Sequence, residues 1–367
     1  MPDVVVVGGG IIGCAVAERL SRNGLNVHVV DPRPVAGGAT QASGGMLTPH
    51  FEGVHSHALE ALGARSLALY DEFLERARAA GGPSPPYERT GSLHVAFDES
   101  EAAELECLAA AHKAGGIDSR LLGADEARHL EPGLAADCTR ALFVPVHGFV
   151  GAPALARLLA DAAVQHGTRW SNTTARRIAP GAHGSLDIET DAGRIVAPHV
   201  VLAAGSWTPQ LEVAGVVALP VRPVRGQLLW LRGLRRPLSR IVWGPRSYLV
   251  PWPDGTLLVG ATSEDVGYDE RATVTGVRDL LDAAAEMVPS VWHAEFLGVR
   301  VGLRPAAPDE LPIIGASARV PGLVYATGHY RNGVLLAPLT AELVAKAVAG
   351  DHDPAFATTS PARFGDF

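Results

Sequence analysis

Lysine is almost missing from this chain: in 367 residues it occurs only as Lys113 and Lys346, both in polar, helix-patterned stretches. Cysteine is nearly as scarce. Cys14, Cys107 and Cys138 are too few and too scattered for a disulfide framework, and no CxxC or Cys/His ligand spacing occurs. A reducing, cytoplasmic setting is expected. Long apolar runs are missing too, since no segment reaches the ~20 apolar residues that a membrane-spanning helix needs. The stretch Val4 to Val7 with Ile11 to Ala17 is interrupted by Gly8, Gly9, Gly10, Gly13 and Cys14, and Asp3 stands where a signal peptide carries basic residues. The apolar stretch Gly333 to Gly350 carries Pro338, Glu342 and Lys346, which suits an amphipathic helix of a soluble protein. With a formal net charge of −8 and no block of Lys or Arg, neither nucleic acid nor an anionic membrane surface is expected as a partner. Ser43, Ser206 and Ser263 lack the GxSxG elbow of a serine hydrolase. His50, His55 and His57 with Glu52 lie close together, but without a Cys partner or a defined helical spacing they read as loop histidines, and no metal is expected.

What is present describes a folded chain, with 47% hydrophobic and 19% charged residues, long enough for two to three domain equivalents. Asp3 to Val7 is a short β-branched run, followed by glycines and then by Ile11 to Asn23 with helical periodicity. Gly24 stands at the expected helix end, and Asn26 to Val30 is a second strand closing on Asp31. This is a βαβ unit, which predicts a parallel sheet with a right-handed crossover. Gly8, Gly10 and Gly13 form GxGxxG between its strand and its helix. The tight turn, the approach of backbone to a pyrophosphate and the close packing of the helix each need one of these glycines, and Asp31 supplies a carboxylate for ribose hydroxyls. A dinucleotide site follows, and the motif by itself leaves FAD and NAD both open. Cys14 reads as a small residue on the packing face of the helix.

Two later segments read as further pieces of the same domain. Ile195 to Ala204 is patterned as one buried strand, and Leu323 to Ala326 is a strand followed by Gly328 and a helix from about Gly333. Between them the texture changes. Leu59 to Ala80 and Glu99 to Ala114 read as charged amphipathic helices, and Gly81 to Pro86 as a Gly/Pro linker. Val221 to Leu231, Ser247 to Pro251 and Thr256 to Ala261 alternate like antiparallel strands, with a turn at Pro253, Asp254 and Gly255. The expected architecture is α/β: a discontinuous Rossmann-like domain of residues 1–80, 145–220 and 318–367, interleaved with an α+β domain of residues 81–144 and 221–317 built on an antiparallel sheet.

After Asp31 the run Gly37 to Met46 is rich in small residues, which would let backbone lie against a flat, extended cofactor. With this run, its end Gly45-Met46-Leu47 and the fingerprint come PVRGQ at Pro223 to Gln227, YLVP at Tyr248 to Pro251 and VGAT at Val259 to Thr262. GLRP at Gly302 to Pro305, LPIIG at Leu311 to Gly315 and GHYRNG at Gly328 to Gly333 complete the order. In these motifs the chain resembles the glycine oxidases, the thiamine-pathway branch of the D-amino-acid oxidase family, over nearly its whole length.

The resemblance implies FAD in a two-domain interleaved fold, and oxidation of a small amino-acid or amine substrate to an imine with molecular oxygen as acceptor and hydrogen peroxide as product. A homo-oligomer is compatible with it. It implies FAD contacts at Ile11, Ile12, Asp31, Pro32, Ala39, Thr40, Gly44, Gly45, Met46, Ala175 and at His329, Tyr330, Arg331, Asn332, Gly333, Val334 and Leu335. It implies Arg304 as the partner of the substrate carboxylate, with Tyr248 and Arg331 beside it. A guanidinium fork suits a carboxylate as an ammonium does not. The loop Gly328 to Gly333 would turn helical N–H groups and the positive dipole end toward the flavin edge where reduction places charge. Gly44, Arg246 and Ser263 depart from the alanine, histidine and methionine of the best-known bacillar members. The two lysines stand away from these motifs, so the oxygen-activating lysine of related sarcosine oxidases has no counterpart. With no cysteine after Cys138, covalent attachment has no candidate either, and the FAD is expected to be held non-covalently. A dehydrogenase or tailoring oxidase acting on a larger amine, and a dinucleotide-binding regulator without catalysis, are the rival readings.

Overall fold

The computed structural model describes residues 1–52, 56–80 and 82–367, so His55 of the histidine group and Gly81 of the expected linker lie outside the described residues, as does the side chain of Glu52. The βαβ unit forms as patterned: strand β1 (Val4–Val7), helix α1 (Ile11–Arg22) and strand β2 (Val27–Val30). β1 pairs in parallel with β2 on one side, Val4 opposite Val27, and with the strand His199–Leu202 on the other, Val4 opposite His199. The full sheet has six strands, running Ile313–Ala316, Leu323–Thr327, His199–Leu202, β1, β2 and Arg169–Ser171. A strand alternates its side chains between faces. Val4 and Val6 therefore enter one core, with α1, Ala152–Gln165 and the last helix Gly333–Ala349, while Val5 and Val7 enter a second core on the opposite face. Burial on both faces is why β1 is valine throughout.

The strand expected over Ile195 to Ala204 is two strands in two sheets. Pro198 has no N–H to give a ladder. The chain bends there, so that Gly193–Ala197 joins a four-stranded sheet with Leu186–Thr190, Ala175–Pro180 and Glu212–Val213, while His199–Leu202 enters the parallel sheet. Ile313–Ala316 also belongs to the six-stranded sheet, antiparallel to Leu323–Thr327, although the expected boundary falls just after it.

The third large layer is an eight-stranded sheet in the order Glu295–Ala306, Arg222–Arg232, Thr256–Gly260, Tyr248–Pro251, Ile241–Trp243, Ser92–Ala96, Arg140–Val144 and Arg120–Gly123. Its pairings are antiparallel except between Ile241–Trp243 and Ser92–Ala96. The two long strands set the geometry of the site: Val224 lies opposite Arg304 and Gly226 opposite Gly302. Among the described residues no helix is long and apolar enough to cross a membrane.

Candidate active site

β1 turns through Gly8, Gly9 and Gly10 into α1. Gly8 has a φ of +117°, and a Cβ on it would overlap the carbonyl of Ala203, as one on Gly13 would overlap the carbonyl of Gly8. Both positions are closed to any side chain. Gly10 caps α1 without a side chain, no acidic residue stands in its first turn, and the Ile11 N–H donates to Thr40 Oγ1 at 3.0 Å. A positive helix end with no acid in its own first turn suits a phosphate group. Asp31 follows β2 and is tied to the turn: its carboxylate accepts from the Gly9 N–H at 2.6 Å and from the Arg33 N–H at 2.7 Å. Arg33 forks onto Glu270 at 3.0 and 2.9 Å and stacks 4.0 Å above the ring of Trp207.

A cleft of about 350 Å³ runs from this turn to the eight-stranded sheet. Of the residues singled out in the sequence, Gly10, Ile11, Ile12, Ala39, Thr40, Gly44, Met46, Tyr248, Arg304 and the stretch His329 to Val334 line it together. Gly8, Gly13 and Asp31 stand behind it in the roles just described, and Pro32 follows Asp31. Gly45, with φ +66°, is packed against the Val150 carbonyl, and Leu335 is buried in the core under the last helix. Ala175 does not line the cleft but opens the strand Ala175–Pro180 of the four-stranded sheet.

At the far end, Arg304 is half-buried. Its Nη1 donates to the Thr262 carbonyl at 2.9 Å, and the backbone of Gly226 lies under its guanidinium so closely that a Cβ would overlap it. Tyr248 lies opposite Gly260 in the sheet, where a side chain would run into its ring, and its Cε2 would stand 3.0 Å from a Cβ on Gly44. The absence of a side chain at Gly44 thus gives room to the Tyr248 ring. The Tyr248 ring also packs on Trp243, 5.4 Å between centroids. His329 is buried, its Nε2 3.0 Å from Thr340 Oγ1, and burial pushes its pKa down to about 3, so the imidazole is neutral. Arg331 is exposed, its guanidinium 5.0 Å above the Tyr330 ring. Among the described residues the lining holds three arginines, Arg246, Arg304 and Arg331, and no Asp or Glu, a charge balance that favours an anionic ligand. Arg246 stands at the rim, exposed and ion-paired with Glu286.

Sequence reading missed the wall Ser206–Trp207 and, apart from Arg246, the segment Trp243 to Ser247, all of which line the cleft. The small residues Ala203, Ala204 and Gly205 at the end of a buried strand were the one local signal for the first. No group of three or more His, Cys, Asp or Glu able to hold a metal is found among the described residues.

A glycine turn at a helix start with an acid closing the next strand, opening into an arginine-lined cleft under a second sheet, defines a dinucleotide-binding protein. The family model "FAD dependent oxidoreductase" (DAO) matches residues 3–347, and the chain belongs to that family, with FAD as its cofactor. It is 35% identical over 353 residues to the bifunctional protein ThiO/ThiG of Nostoc sp., covering 94% of this chain and 52% of that protein, so it spans about half the length of that relative. It is 35% identical over 349 residues to glycine oxidase of Geobacillus kaustophilus, covering 94% of this chain and 92% of that one. The crystal structure of glycine oxidase from Geobacillus kaustophilus superimposes with a TM-score of 0.93 at 33% identity, covering 100% of this chain and 98% of that chain.

Proposed function

We propose that this protein oxidises glycine, or a small N-substituted glycine or D-amino acid, at the Cα–N bond. The imine formed then hydrolyses to an oxo acid and ammonia or an amine, while oxygen is reduced to hydrogen peroxide. The observation that carries this reading is Arg304, a half-buried guanidinium held flat on Gly226 in a cleft that contains no protein carboxylate to neutralise it. The glycine turn fits the pyrophosphate of FAD because Gly8 and Gly13 leave no room for a side chain and α1 begins with no acid. Bound there, FAD supplies the two-electron acceptor.

The chain's own residues do the rest. Gly8, Gly10 and Gly13 let backbone close on the phosphates, and Asp31 stands ready for ribose hydroxyls beside its backbone donors. Thr40, Gly44, Met46 and the start of the last helix would flank the cofactor, the helix N-terminus favouring the negative charge that reduction brings. Arg304 fixes the substrate carboxylate, Tyr248 adds a hydroxyl, and Arg331 adds positive charge at the mouth. Alignment of the reacting carbon is the main contribution asked of the protein. The same reading includes the division into a cofactor domain (1–80, 145–220, 318–367) and a substrate domain (81–144, 221–317), with the strand Ile313–Ala316 moved to the cofactor side, and a cytoplasmic setting. The relatives give no support to a larger amine as substrate.

The test is a panel of glycine, sarcosine, D-alanine and benzylamine, with peroxide detected in air. Peroxide from the three amino acids and none from benzylamine is expected; turnover of benzylamine alone overturns the reading.

A further inference from the structure

The fork of Arg304 is held by a chain of contacts that ends on an acid outside the cleft lining. Its Nη1 donates to the carbonyl of Thr262, and the Thr262 hydroxyl donates to Glu264 Oε1 at 2.6 Å. That hydroxyl also accepts the Gln227 N–H at 2.9 Å, so both of its roles are fixed. Glu264 is fixed in turn. Its Oε1 takes Gln227 Nε2 at 2.7 Å and its Oε2 takes Arg225 Nη2 at 2.5 Å. Arg225 is buried to 3% exposure on the strand Arg222–Arg232, and its Nη1 reaches Asp269 at 3.1 Å. Backbone bonds in both directions between Arg225 and Glu264, 2.9 and 3.0 Å, lock the segment to that strand.

We propose that Glu264 is a positioning residue for the substrate carboxylate: through Thr262 it sets the orientation of the Arg304 guanidinium and so the direction in which the fork meets the ligand. Gly226 supplies the floor and Thr262 the stop, but the Thr262 carbonyl points where its residue is held, its N–H on the Gln227 carbonyl at 3.2 Å and its side chain on Glu264. The Arg225, Gln227 and Thr262 donors keep the Glu264 carboxyl ionised, its pKa lowered to about 2, so the strut stays charged through any ordinary working pH. This rests on Arg304 being the carboxylate partner.

The test uses the FAD-loaded full chain and acetate, a carboxylate that cannot be oxidised at a Cα–N bond, titrated against the flavin absorbance. Glu264→Ala is expected to weaken acetate roughly tenfold, the size of one charge-assisted hydrogen bond. The KM for glycine should rise by a similar factor with kcat within about threefold, the signature of lost ground-state binding. In an Arg304→Ala background the same substitution should change acetate affinity by less than about twofold, because residues in one network are not additive. A merely structural Glu264 would give equal effects in both backgrounds, and that result overturns the proposal, as does unchanged acetate affinity in the single variant. Should Glu264→Ala fail to fold, Thr262→Val cuts the relay while leaving Arg225 and Glu264 paired, and the same loss of acetate and the same non-additivity with Arg304→Ala are expected. If Arg304→Ala itself leaves acetate binding intact, the failure belongs to the reading of Arg304 and takes the proposal with it.

Discussion

Gly226 is the floor on which the Arg304 guanidinium lies. The two stand on paired strands, with Val224 directly opposite Arg304 and Gly226 two residues further on the same face. A Cβ there would overlap Cζ and both terminal nitrogens of the arginine. Gly226→Ala should therefore displace the fork while leaving the glycine turn at the other end of the cleft untouched. A rise of about tenfold or more in the KM for glycine is expected, on the scale of one lost charge-assisted contact. FAD content should stay at wild-type level. Steady-state kinetics beside the flavin spectrum of the purified variant decides it, and an unchanged KM would mean that the guanidinium has another seat.

Removal of Arg304 itself should hurt the substrate and not the cofactor. Truncating one partner of a partly desolvated charge pair strands the other, so Arg304→Ala should cost about 2–5 kcal/mol in kcat/KM for glycine. Anaerobic mixing with sub-saturating glycine, followed by flavin bleaching, measures this. Bleaching at the wild-type rate would point to an amine without a carboxylate.

Asp31→Ala removes the acceptor of the Gly9 and Arg33 N–H groups and the carboxylate offered to the ribose. FAD retention should weaken by roughly 1.5–3 kcal/mol, the worth of a hydrogen bond to a charged group. Equilibrium dialysis against FAD gives the constant, and an unaltered value would take the ribose role from Asp31. In the wild type, acid precipitation should release all the flavin, since the only cysteines are Cys14, Cys107 and Cys138 and none lines the cleft.

Acid should destabilise the fold through its buried histidines. Burial pushes the pKa of His94 down to about 4 and that of His329 to about 3, from an ordinary 6.5, and holds that of His147 well below 6.5. The unfolded chain takes up protons below pH 6.5 that the native one refuses, so stability falls as the pH drops from about 6.5 toward 4. Each such group contributes about 2 kcal/mol of loss between pH 7 and 5. Denaturant unfolding at fixed FAD concentration should show it, with a smaller loss for His94→Gln. An equal loss in that variant would mean that His94 is reached by protons in the native state.

Much of the fold and part of the site were legible in the chain itself. The βαβ unit, the GxGxxG turn with Asp31, the helix from Gly333 and the hairpin around Asp254 depend on side-chain periodicity and on where a Cβ is tolerated, and both are properties of a few consecutive residues. Tyr248 and Arg304 were marked by the resemblance that their motifs carry, not by local periodicity. Local reasoning could not say which of 41 glycines matter as floors, because Gly226 and Gly260 owe that role to the register of strands that bring them against Arg304 and Tyr248. It joined Ile195 to Ala204 across Pro198, where the structure has two strands in two sheets. Arg33 meets Glu270 across 237 positions of sequence, and Arg304 meets Thr262 across 42. Such pairs are decided only when sheets pack, since the free energy that chooses them is buried area and satisfied charge summed over the whole core, and no window of sequence contains it.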